Sequence, residues 1–149
     1  MKRLRVGLFI WVIFFLISSI PLVQAQTTKS AAPSRYDATE ELTVMGTVSS
    51  VLANAGPGMI TGSHLLLATS SGQVDASLGM FGLRGYGAVS VAAGQQIEAT
   101  GVMKTIKEKP VLLVRTVKVD GEVYTLRNEH GVLLPPQARK RAGQKGESL

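Results

Sequence analysis

Residues 111–127, VLLVRTVKVDGEVYTLR, carry the clearest hairpin signal in the chain. Two runs rich in valine, leucine and threonine flank Asp120-Gly121, and runs of this composition favour β-strands. Asp-Gly between two strands is typical of a two-residue type I′ turn, in which both residues need a positive φ. The sequence therefore predicts an antiparallel hairpin that turns at Asp120-Gly121.

Four segments upstream have the length or the alternation of strands. They are residues 42–49, 64–69, 73–78 and 95–106, and the turn Ser70-Ser71-Gly72 joins the second to the third. Residues 79–94 contain five glycines, too many for a stable long helix. Five or six short strands without a helix of normal length predict an all-β fold, a small five- to six-stranded antiparallel barrel.

The amino terminus has the three parts of a secretory signal. A basic start at residues 2–5 precedes an apolar run at residues 6–23, and the compact tripeptide VQA ends at Ala25. We expect cleavage after Ala25, which places the mature protein in the periplasm or outside the cell. A retained, membrane-anchored form is the alternative, because an apolar run of 18 residues lies at the lower limit for spanning a bilayer.

Composition divides the chain into four parts. We predict a signal peptide at 1–25, a flexible leader at 26–40, the barrel domain at 41–134 and a disordered basic tail at 135–149. The net charge is +6, but the signal and the tail carry all of it, since nine basic and nine acidic side chains balance within residues 26–137. The chain has no cysteine, which excludes disulfides, thiol catalysis and thiolate metal sites.

The succession of strands and turns in residues 42–134 resembles a group of small exported bacterial proteins with OB-fold-like barrels. Most of that group are uncharacterised, and some are loosely labelled DNA-binding. The resemblance rests on GTVSSV (46–51), HLLLATSSG (64–72), AAGQQIEATG (92–101), LLVRTVKVDGE (112–122) and TLRNEHG (125–131). It implies an OB-fold-like barrel and an exported location, and it implies no established activity.

Catalysis and metal binding find little support in the sequence. The two histidines, His64 and His130, are predicted at the surface or at strand ends, and no serine lies in a nucleophile-elbow pattern. We therefore predict no catalytic residue, no enzyme and no cofactor. Thioethers suit Cu(I), so a periplasmic copper-binding barrel is one alternative, although no two methionines form a Met-x-Met or Met-x-x-Met pair and no metal ligand is assigned.

Binding remains the function that the sequence favours: an exported, non-enzymatic accessory module of the cell envelope, which uses a barrel face or a sheet edge. An envelope protein or an anionic ligand is the expected partner, and membrane contact is expected only through an uncleaved signal. A polyanion-, nucleic-acid- or oligosaccharide-binding barrel is the other alternative, but nucleic acid is not expected, because the neutral barrel lacks a basic groove. Arginine and tyrosine side chains are best suited to hold such partners, and the candidates are Arg84, Tyr86, Arg115, Tyr124 and Arg127.

Overall fold

The structure is a computed structural model that describes residues 35–139. The predicted signal peptide with its cleavage at Ala25, most of the predicted leader and residues 140–149 lie outside the described residues. A short 3-10 helix at Ala38–Glu40 precedes the strands. The strands are β1 (Glu41–Leu52), β2 (Ser63–Thr69), β3 (Gly72–Gly79), β4 (Gln96–Ile106), β5 (Lys109–Val119) and β6 (Glu122–Thr125).

Strands β1 to β5 close into a barrel. The neighbours run β3-β2-β1-β4-β5, and pairing of β3 with β5 completes the ring. The β3–β5 pair is parallel, whereas the other pairs in the ring are antiparallel. Five strands in a ring cannot alternate in direction all the way round, so one pair must be parallel. The predicted all-β barrel is confirmed and is consistent with an OB-like barrel, but it is mixed rather than wholly antiparallel.

Strand β6 is an addition to this ring and pairs with β5 alone. It follows β5 through Asp120 and Gly121, whose φ angles of 49° and 86° are both positive. The type I′ hairpin predicted from Asp-Gly is therefore present. Because its other side pairs with no strand, β6 gives the described part of the molecule a backbone edge that the closed ring lacks.

The core fills the inside of the barrel with aliphatic side chains that alternate along the strands. Residues 89 and 126 add two further apolar side chains from outside the ring strands. Its buried members are Val48, Leu65, Leu67, Ala76, Leu78, Val89, Ile97, Ala99, Leu112, Val114, Val117, Val119 and Leu126.

One residue of β5 is a bulge. Thr100 of β4 pairs with Thr116, and Gly101 pairs with Val114, so Arg115 between them has no partner in β4. A bulge changes which face of the sheet the following side chains occupy and redirects the extra side chain. Here it turns Arg115 away from the core.

The fold continues beyond residue 134, where the predicted barrel domain ends. Residues 136–139 form one helical turn, and Arg139 at its end is only 7% exposed. Its guanidinium donates hydrogen bonds to the carbonyl oxygens of Leu134, Gly87 and Phe81 at 3.0, 2.8 and 2.8 Å. These bonds fix the first residues of the predicted tail to the glycine-rich segment. Among residues 35–139, no helix is long and apolar enough to cross a membrane.

Candidate functional site

Arg115 makes an ion pair inside the molecule. Its Nε and Nη2 donate to Oε1 and Oε2 of Glu41 at 2.5 and 2.7 Å, a bidentate arrangement that is strong for a charged pair. The hydroxyl of Tyr36 donates to Oε1 of the same carboxylate at 2.6 Å. Arg115 holds the pKa of Glu41 below its ordinary value, while burial and Glu41 raise the pKa of Tyr36. Glu41 thus occupies the guanidinium of Arg115, which was predicted from the sequence to bind a ligand.

Arg127 lies beside this pair but takes no part in it. Its backbone amide donates to the carbonyl oxygen of Arg115 at 3.3 Å, and the residue is 7% exposed. Its Nε has no hydrogen-bond partner among residues 35–139. Burial lowers the pKa of Arg127, and the neighbouring Tyr36 partly opposes that effect. So little of Arg127 is exposed that it offers a ligand almost no surface.

Tyr86 and Tyr124 line the same groove, which has a volume of about 710 Å³. Val123 and Leu134 also line the groove, and Tyr86 and Val123 are 55% and 59% exposed. The hydroxyl of Tyr124 donates to Oε2 of Glu122 at 2.7 Å, and this bond raises the pKa of Tyr124. Two of the five predicted residues therefore share a surface that is both aromatic and accessible.

The backbone of β6 forms one wall of this groove. Val119 and Glu122 flank the two-residue turn, so they exchange both backbone hydrogen bonds of the hairpin. Because the ladder alternates, Val123 and Thr125 point their N–H and C=O groups away from β5. Within residues 35–139, no backbone hydrogen bond joins β6 to residues 86–88, which also line the groove. Two donors and two acceptors are therefore open along the groove.

Arg84 lies in a third place. Its Nη2 donates to Oδ1 of Asn54 at 2.8 Å and so connects the segment after β3 to the loop of residues 53–62. The five predicted residues consequently do not form one site. Tyr86 and Tyr124 line the same groove. Arg115 is paired with Glu41 and accepts a backbone hydrogen bond from Arg127, whereas Arg84 is bonded to the loop of residues 53–62.

His64 lies at the start of β2, as the strand-end alternative predicts, but it is fully buried, so a surface position is wrong for it. The loop of residues 53–62 covers it, and its Nε2 lies 2.8 Å from the carbonyl oxygen of Ile60. Its Nδ1 lies 2.6 Å from Oδ1 of Asp75, a pairing that the sequence analysis missed. Ser77 stands opposite His64 in β3, but its Oγ has no hydrogen-bond partner among the described residues. Ser77 and His64 are therefore not hydrogen-bonded to each other.

Potential metal ligands are dispersed over the described region. No group of three or more histidine, cysteine, aspartate or glutamate side chains is placed to hold a metal ion within residues 35–139. Both ring nitrogens of His64 are already engaged. The methionines lie on four separate segments: Met45 on β1, Met59 in the following loop, Met80 after β3 and Met103 on β4.

Comparison of the chain with protein families, with curated proteins and with solved structures finds no match. The class that the fold and the groove define is a small β-barrel with one added edge strand. The function is therefore inferred from the geometry of the groove beside β6.

Proposed function

We propose that the protein is a binding module that takes an extended polypeptide along the edge of β6. One observation carries the proposal: the open backbone groups of Val123 and Thr125 face a groove lined by aromatic and aliphatic side chains. An extended peptide that adds to a sheet edge pairs with such groups, and pockets beside the edge select its side chains. Here Tyr86, Tyr124 and Leu134 supply the contacts for those side chains.

Charge favours a peptide that carries a lysine or arginine. Glu122 lines the groove, and Asp120 lies in the adjoining hairpin turn, where it accepts a hydrogen bond from Gln95. Neither carboxylate forms an ion pair with a basic side chain among the described residues. Arg139, the cationic residue of the groove wall, directs its donors to three carbonyl oxygens. A phosphate backbone needs free cations along its path, so this groove suits a cationic peptide better than a polyanion.

The proposal includes an exported location and a non-enzymatic role at the cell envelope. The signal-like organisation of residues 1–25 supports export, and the partner is then an extended segment of another envelope protein. We expect mass spectrometry of the mature protein to find Gln26 as its first residue. An intact amino terminus on a membrane-bound protein would indicate a retained anchor instead.

Peptide binding can be tested with an array of synthetic eight-residue peptides in which apolar residues alternate with lysine or threonine. The variant Val123→Pro removes one outward N–H but none of the hydrogen bonds to β5, because the Val123–Lys118 pair is not hydrogen-bonded. We expect it to weaken peptide binding about tenfold or more, because one hydrogen bond to the peptide is lost and the proline ring sterically hinders the approach of the peptide backbone. Tyr86→Ala should also weaken binding, through loss of groove contact.

Met45→Ala is the control, because Met45, like Val123, is an exposed apolar residue, and it lies on β1 with 69% of its surface exposed. It should bind the same peptides as the wild type. The proposal fails if no peptide binds, or if Val123→Pro binds as tightly as Met45→Ala. Binding of single-stranded DNA in place of peptide, at physiological salt, would favour the polyanion alternative.

A further inference from the structure

The loop of residues 53–62 connects β1 to β2 and is attached to the barrel through a buried histidine. His64 is 0% exposed, and its two ring nitrogens face different parts of the molecule. Nε2 lies 2.8 Å from the carbonyl oxygen of Ile60 in the loop, and Nδ1 lies 2.6 Å from Oδ1 of Asp75 in β3. The imidazole ring thus bridges the loop and the strand.

The two hydrogen bonds of His64 can form together only when the pair of His64 and Asp75 holds an additional proton. A carbonyl oxygen only accepts hydrogen bonds, so Nε2 must carry a hydrogen. An ionised carboxylate also only accepts, whereas a neutral imidazole has a single N–H. Both bonds exist together only if His64 is doubly protonated or if Asp75 is protonated. The pair therefore holds one proton more than a neutral imidazole and an ionised carboxylate.

Loss of that proton leaves a single N–H for two acceptors. A hydrogen bond to a carboxylate is charge-assisted and roughly twice as strong as one to a neutral carbonyl. The remaining hydrogen accordingly stays on Nδ1, and Nε2 turns a lone pair towards the carbonyl oxygen of Ile60. We infer that the buried His64 and Asp75, whose side chain is 20% exposed, form a proton-binding site that holds the loop of residues 53–62 closed and releases it when the proton leaves.

Neighbouring elements present few other charges to this site. Leu52 of β1 lies opposite His64, and Val111 of β5 lies opposite Asp75. The loop itself contains no titratable side chain. The basic groups next to the loop are Lys109, whose Nζ approaches Gly58, and Arg84, which donates to Asn54.

From β4, Lys104 lies opposite Val111, and its Nζ is bonded to Glu40. Among the described residues, His64 is thus the titratable group that bonds directly to the loop backbone, and Asp75 bonds to His64. The pair belongs to β2 and β3, so the inference does not depend on peptide binding at β6.

Hydrogen exchange of the full-length protein tests the inference through the loop amides at residues 58–61. Histidine ordinarily changes charge between about pH 5 and about pH 8, so protection factors are compared at about pH 5 and about pH 9. We expect loop protection in the wild type to fall about tenfold at the higher pH, the effect of one hydrogen bond. His130→Gln should behave as the wild type, because His130 is exposed and does not contact the loop.

Asp75→Asn is the decisive variant. An asparagine amide donates to Nδ1 without a titrating proton, so Nε2 keeps its hydrogen for Ile60 at both pH values. We expect the loop of this variant to stay protected at about pH 9. Equal protection of the wild-type loop at both pH values, or an equal loss in Asp75→Asn, overturns the inference.

Nitrogen NMR of the wild type measures the protonation of the two ring nitrogens of His64 directly, without any substitution. At acid pH, the bridge predicts hydrogens on both ring nitrogens, or a hydrogen on Nε2 together with a protonated Asp75. At alkaline pH, it predicts a hydrogen on Nδ1 alone. A hydrogen that stays on Nε2 at alkaline pH overturns the inference.

Discussion

Replacing Arg115 with methionine is expected to lower the free energy of unfolding by about 3 kcal/mol. The substitution leaves the Glu41 carboxylate, whose side chain is 12% exposed, without its two guanidinium donors. A value at the low end for a broken buried pair is expected, because the Arg115 side chain is itself 31% exposed. Chemical denaturation of both proteins at neutral pH measures the difference.

The pH dependence of that difference provides a check. Arg115 lowers the pKa of Glu41, so the stabilisation is fully present above the ordinary glutamate pKa and is lost as the pH falls through the lowered value. The wild type and Arg115→Met should therefore converge in stability in acid. A difference that is constant from neutral to acid pH would contradict the role given to Glu41.

Arg127→Met is the matched control, since it makes the same exchange at the neighbouring residue. Arg127 is buried and has no ion-pair partner among residues 35–139. Removing an unpaired buried charge relieves a desolvation cost, so the free energy of unfolding should stay the same or rise. An equal loss of stability in both variants would show that packing, rather than the ion pair, matters at these positions.

Gly101→Ala is expected to destabilise the protein by about 3 kcal/mol. A Cβ at Gly101 would collide with the carbonyl oxygen of Leu113 and lie 2.8 Å from its carbonyl carbon and 2.9 Å from the Cα of Val114. These are backbone atoms of β5, so relief requires movement of a strand that is fixed in a closed ring. Thermal or chemical denaturation measures the loss.

Gly56→Ala serves as the control for this glycine. A Cβ at Gly56 meets mainly the sulfur of Met59 at 3.3 Å, the flexible end of a side chain in a loop. Its effect on the free energy of unfolding should lie within about 0.5 kcal/mol. Similar stabilities for Gly101→Ala and Gly56→Ala would contradict the tight approach of β4 to β5.

Local signals in the sequence were sufficient to predict the barrel. Asp120-Gly121 determines its own turn, and alternation within each strand marks the face that enters the core. The parallel β3–β5 pair was also within reach, because an odd number of strands in a closed ring forces one parallel neighbour. Predicting the parallel pair requires both the number of strands and the closure of the barrel, and no single segment of the sequence shows either.

The candidate site was only partly predictable. Tyr86 and Tyr124 were named from residue type, but their position along the same groove depends on how the glycine-rich segment returns to β6. The bulge at Arg115 left no sequence signal, and it is the bulge that directs this side chain towards Glu41. Residue type alone therefore could not separate an arginine engaged inside the molecule from one available to a ligand.

The proximity of His64 to Asp75 could have been inferred from hairpin geometry. A two-residue turn at Ser70-Ser71 places Leu66 opposite Asp75, so His64 becomes a diagonal neighbour of that aspartate. The three-residue turn expected from Ser-Ser-Gly obscured this register. Burial of His64 was not predictable, because it depends on the path of a loop without a regular pattern.

Hydrogen exchange at the amides of Val123 and Thr125 measures whether β6 is a free edge that binds peptide. In the free protein both amides should exchange as rapidly as exposed backbone, because they point away from β5 into the groove. When an array peptide binds, both should become protected, while Tyr124, which already pairs with β5, should change little. Protection of Val123 and Thr125 in the free protein, or unchanged exchange on binding, would contradict β6 as the peptide-binding edge.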